Sequence, residues 1–174
     1  MKDGKPVVLI GLGNRMRRDD GVGLWVAQHL EAHGWPSLKV FPLGVPDPVA
    51  LAQAWAGAEI AWIVDAAVAE VPPGMILRIR GEDLPTDPRE RWLSTHGLAL
   101  REAIAFARML EPSPSRMVVY GIVGRDFRYG EGLTPDVEAS ARRLIRRLER
   151  MILRVCNHSA GSRSVKSAEK PCPP

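Results

Sequence analysis

Three side chains stand where an α/β protein gathers its chemistry. Asp20 follows the apolar run Val7-Val8-Leu9-Ile10 and the glycine turn that opens at Gly11, Asp65 closes the run Ile60 to Val64, and His96 follows Ser94-Thr95 where a helix is about to start. In open α/β sheets the functional crevice lies outside the carboxyl ends of the strands, where connecting loops converge. Two carboxylates and one neutral imidazole can hold a borderline divalent ion such as nickel or zinc and leave positions open for substrate or water. Each residue also has a structural reading: Asp20, or its neighbour Asp19, as a helix N-cap, Asp65 as a turn residue, and His96 as a solvated side chain. Other hydrolytic chemistries find little support. There is no H-E-x-x-H helix, no Ser or Cys nucleophile stands beside a base, and the two cysteines, Cys156 and Cys172, lie in the last stretch of the chain.

The elements that must position these residues are legible as periodicity. Val7 to Ile10 is a short β-branched run of the kind a buried strand makes, and Val22, Val26 and Leu30 recur at helical spacing, which predicts a helix from about Asp20 to Ala32. Strands are expected at Leu38 to Leu43, Ile60 to Val64, Met75 to Ile79 after the Pro72-Pro73-Gly74 turn, and Val118 to Val123. Helices are expected at Pro48 to Trp55, Leu98 to Leu110 and Val137 to Val155. The alternation implies a three-layer α/β sandwich with a mostly parallel twisted sheet flanked by helices. From Asn157 onward Ser, Lys, Gly and Pro dominate without period, so a single domain over 1–156 and a disordered tail over 157–174 are expected.

The chain has 174 residues, 45% hydrophobic and 25% charged, a balance that suits one folded domain. No segment approaches the ~18 apolar residues of a membrane span, and Met1 to Pro6 lacks the apolar stretch of a signal peptide, so a cytoplasmic protein is expected. The net charge of +4 is concentrated in Arg142, Arg143, Arg146, Arg147, Arg150 and Arg154, a spacing that reads as a solvated helix face rather than a phosphate-binding surface. Neither a nucleic acid nor a membrane is expected as a partner.

The run Gly11-Leu12-Gly13-Asn14, then Asp19-Asp20-Gly21-Val22-Gly23, resembles the N-terminal signature of the hydrogenase maturation endopeptidases. The resemblance continues at Val64-Asp65-Ala66, at Ser94-Thr95-His96-Gly97-Leu98, and at Val119-Tyr120-Gly121 followed by Gly132-Leu133-Thr134-Pro135. It covers the chain from Val7 to about Ile152. It implies a phosphorylase/hydrolase-like fold and an endopeptidase, acting as a monomer, that removes the C-terminal extension of a nickel-iron hydrogenase large-subunit precursor. It further implies that Asp20, Asp65 and His96 contact the metal, and that the metal is nickel already inserted in the precursor, with other divalent ions as substitutes. Many relatives carry glutamate where Asp20 stands. Relatives also carry an Asp-Gly-Gly-Thr-like loop after the second strand, where this chain reads Leu43-Gly44-Val45-Pro46-Asp47, leaving Asp47 as the nearest substitute for the loop carboxylate.

Other families account for less. A dinucleotide-binding fingerprint needs a third glycine where Met16 stands, and acidic residues follow where a pyrophosphate would sit. Peptidyl-tRNA hydrolases share the G-L-G-N turn but continue with Pro-Gly and later a His-Asn pair, where this chain has Arg15-Met16 and then Asp19-Asp20, so their expected catalytic histidine is missing. A non-catalytic assembly chaperone binding the same peptide would use the same cleft without turnover.

Overall fold

Strand β1 (Val7–Leu12) is buried along its whole length, the pattern of a central parallel strand covered on both faces. The computed structural model describes residues 7–84 and 95–161, with side chains except at 95–99 and 156–161. A 3-10 turn (Arg18–Gly21) leads into α1 (Val22–Ala32), followed by β2 (Leu38–Gly44), α2 (Pro48–Trp55), β3 (Ile60–Ala67), β4 (Ile76–Arg80), α3 (Thr95–Leu110), β5 (Arg116–Val123) and α4 (Pro135–Gly161). The strands form one sheet in the order β2-β1-β3-β5-β4. Pairing is parallel for β1 with β2 and β3 and for β3 with β5, and antiparallel only for the edge strand β4.

Strand alternation divides the core in two. Val7, Leu9, Trp62, Val64, Val118 and Tyr120 pack against α1 and α4, while Val8, Ile10, Ala61, Ile63, Met117 and Val119 pack against α2 and α3. The expected three-layer sandwich is therefore the observed one. Chain order also creates a switch point: the connection from β1 leads to β2 on one side, whereas that from β3 leads toward β4 and β5 on the other. Loops diverge there and leave a crevice at the carboxyl ends of β1 and β3.

Several boundaries differ from the sequence reading, two of them at helix ends. The first helix starts at Val22 behind a 3-10 turn rather than at Asp20, and neither the turn nor α1 has a side-chain N-cap. The last helix continues to Gly161, beyond the Asn157 boundary expected from composition, because backbone bonding persists where apolar periodicity has ended. Residues 162–174 lie outside the described residues, as do 85–94. Among the described residues no helix is long and apolar enough to cross a membrane.

Candidate active site

The glycines of the N-terminal run set the depth of the crevice. A Cβ at Gly23 would lie 2.2 Å from the Val64 carbonyl oxygen and 2.4 Å from that of Leu12, so only glycine lets the first turn of α1 settle onto the ends of β1 and β3. That close approach brings the Asp20 turn against the end of β3. Gly13, at φ +111, bends the chain away from β1 and donates its N–H to the Gly44 carbonyl at 2.8 Å.

Asp65 lies inside β3, not after it, and is 0% exposed. Its Oδ1 accepts the Ala66 N–H at 2.8 Å, and Oδ2 has no hydrogen-bond partner among the described residues. Burial pushes its pKa up to about 8; the Ala66 N–H opposes the rise, and the negative charge of Asp20 adds to it. The structure thus brings Asp20, itself 1% exposed, within electrostatic reach of Asp65. The sequence reading placed Asp65 at the close of the Ile60 to Val64 run, with a turn residue as its structural alternative; the strand instead extends to Ala67 and buries Asp65 within the sheet.

His96 falls in the first turn of α3. By strand alternation Asp65 projects on the face covered by α2 and α3. α3 ends at Leu110, shortly before β5 begins at the amino edge of the sheet beside Ile60. At ~1.5 Å per residue the helix runs back to the carboxyl edge, so its first turn and Asp65 share one end of the sheet. The His96 side chain lies outside the described residues, and among those described no group of three His, Cys, Asp or Glu forms. Asp47, the candidate loop carboxylate, caps α2 by accepting the Ala50 N–H at 2.8 Å.

Asp19 carries a role that sequence reasoning did not assign. It is 0% exposed and caps neither helix. Its Oδ2 accepts the N–H groups of Arg125 and Asp126 at 2.8 and 2.9 Å and the Thr134 hydroxyl at 2.9 Å, and its Oδ1 accepts the Thr134 N–H at 2.6 Å. The loop after β1 is thereby tied to the loop after β5, and a bridge between Arg17 and Gly130 reinforces the tie. The signal available in sequence was the acidic doublet together with the Gly132-Leu133-Thr134-Pro135 turn, far apart in the chain.

Comparison with known proteins agrees with this architecture. The family described as HycI, hydrogenase maturation protease, matches residues 26–151. The chain is 24% identical over 140 residues to the hydrogenase expression/formation protein HupD of Thiocapsa roseopersicina, covering 79% of this chain and 63% of that protein, so the match spans less than two thirds of the relative. It is 25% identical over 135 residues to the hydrogenase 2 maturation protease of Escherichia coli, covering 76% of this chain and 82% of that one. The NiFe hydrogenase maturation protease HybD of Thermococcus kodakarensis superposes with a TM-score of 0.73 at 24% identity, covering 84% of this chain and 98% of that chain, a likeness of fold. With more than half of its length matched in order, the chain belongs to the hydrogenase maturation protease family.

Proposed function

We propose that this chain is an endopeptidase that removes the C-terminal extension of a nickel-iron hydrogenase large-subunit precursor after nickel insertion, working as a monomer in the cytoplasm. The observation that carries the reading is the buried Asp65 carboxyl facing Asp20 at the switch point of the sheet. A carboxyl held near pKa 8 by burial is neutral at pH 7, and a cation is the partner that would favour its ionised form. The pair therefore suits an arriving divalent ion better than a resident anion or an apolar group. Asp20, Asp65 and His96 are the residues assigned to the precursor's nickel, and two oxygens with one imidazole are donors such an ion accepts. With no thiolate in the set, the free enzyme retains metal weakly, so the ion serves as a recognition element of the substrate. An ion held by these donors would also be able to supply Lewis acidity to a peptide bond. The protein's own contribution is to orient that bond and to offer carboxylates whose protonation responds to the incoming charge.

The test is a processing gel with nickel-loaded and nickel-free precursor. Cleavage only of the loaded form by wild type, and loss of it in Asp65→Asn and His96→Ala, is the expected result. Equal cleavage of nickel-free precursor, or full activity in both variants, would overturn the reading. A precursor that co-elutes with the protein without a mass shift would identify a chaperone instead.

A further inference from the structure

The two loops joined through Asp19 also enclose an open groove of about 280 Å³, whose side-chain lining is Arg15, Arg18, Trp25, Gln28, Glu131 and Leu133. Gly21 borders it too, at the end of the turn that carries Asp20. Arg15 is exposed and makes no hydrogen bond or ion pair among the described residues. Arg18 is held at φ +47, the one described non-glycine residue in the left-handed region, by donating its N–H to the Gly130 carbonyl at 2.8 Å. A non-glycine residue stays in that conformation only where its surroundings compel it, and such positions gather at binding sites. The Arg18 guanidinium stands 3.4 Å from Asp126. Trp25 forms an apolar wall and is itself steadied by the His29 ring at 3.7 Å and the Arg142 guanidinium at 5.3 Å.

We propose that this groove binds an acidic peptide segment of the substrate, an assignment that rests on the endopeptidase reading. Arg15 offers an uncommitted fork of donors that matches a carboxylate, and Trp25 and Leu133 cover the apolar stem of a glutamate or a neighbouring side chain. Glu131 is the one acidic side chain lining the groove, and it sets the polarity of the bound segment by repelling carboxylates from its side. A nucleic acid fits less well: two arginines opposed by one glutamate do not track a phosphate backbone, and Trp25 is already engaged by His29 and Arg142.

The experiment measures fluorescence anisotropy of the full chain with a dye-labelled peptide of alternating glutamate and leucine, and with its glutamine counterpart. In parallel, kcat and KM are measured on nickel-loaded precursor. The acidic peptide is expected to bind more tightly, and Arg15→Gln to weaken it by about tenfold, the loss of roughly one charge-assisted hydrogen bond, while leaving the glutamine peptide unaffected. The same variant should raise KM for the precursor and leave kcat unchanged. Equal binding of the two peptides, an unaltered KM in Arg15→Gln, or displacement of the acidic peptide by a short RNA at lower concentration than by unlabelled acidic peptide would each overturn the assignment. Arg15-dependent peptide binding with no cleavage of any precursor would leave the groove standing and remove the protease reading. Normal cleavage with an Arg15-independent KM would do the reverse.

Discussion

Asp19 and Asp65 are the same residue type, both 0% exposed, and their surroundings give them opposite jobs. Asp19 receives four hydrogen bonds on its two oxygens from residues 125, 126 and 134. Among the described residues Asp65 receives one, from the N–H of the next residue, and it lies within electrostatic reach of a second carboxylate. A buried charge with donors on every side is an anchor, because the lost hydration is replaced by the protein. A buried carboxyl with one donor is held in its neutral form and awaits a positive partner. The comparison separates the framework of the crevice from the group that the framework keeps ready.

The contrast is broken most directly by removing each carboxylate. Asp65→Asn should reduce precursor processing by about a thousandfold, as loss of several kcal/mol of metal-dependent stabilisation would, while raising the melting temperature near pH 7. An active variant, or one that melts lower, would mean that Asp65 is an anchor like Asp19. Asp19→Ala should act in the opposite direction on stability, costing about 3 kcal/mol or more in urea unfolding, because several buried N–H groups lose their acceptor at once. Unfolding at the wild-type urea concentration would show that the two loops stay joined without it.

A pH series sharpens the difference. Asp65 has a folded pKa raised from 3.8 to about 8, so between these values the unfolded chain has released a proton that the folded chain retains. Its contribution to stability is therefore fully present below about pH 4, and is lost progressively as pH rises toward 8. The stability gain of Asp65→Asn over wild type should be near zero at pH 4 and largest at pH 8. A gain that stays constant across this range would assign the effect to packing rather than ionisation. The smallest effect is expected far from the crevice, where Arg146, Arg147 and Arg150 line the exposed side of α4. Replacing all three by glutamine should change stability by no more than about 0.5 kcal/mol each and leave processing intact, because solvent screens these charges. Lost processing with a retained fold would put the substrate on that helix as well.

The arrangement of elements was largely readable from periodicity. Val22, Val26 and Leu30 do line the buried side of α1, and Leu144, Leu148 and Ile152 line that of α4. Helix ends were less legible because backbone bonding outlasts the side-chain pattern, as α4 does in reaching Gly161. The site was legible as residue types near strand ends and as a family resemblance. The burial of Asp65 was not, since nothing in Val64-Asp65-Ala66 indicates that β3 continues past the aspartate and that α1 closes over its end. The role of Asp19 was hidden for a related reason: its donors lie more than a hundred residues away along the chain.

By itself the sequence determined the α/β class, the alternation that divides the core into two layers, and the glycines that permit α1 to approach β1 and β3. Those follow from local pattern, because side-chain direction repeats every two residues in a strand and every 3.6 in a helix. Only the tertiary structure decided which aspartate became an anchor and which was left short of donors. Desolvation and hydrogen bonding depend on which distant loops arrive beside a carboxyl group, and the order of strands in the sheet brings them there.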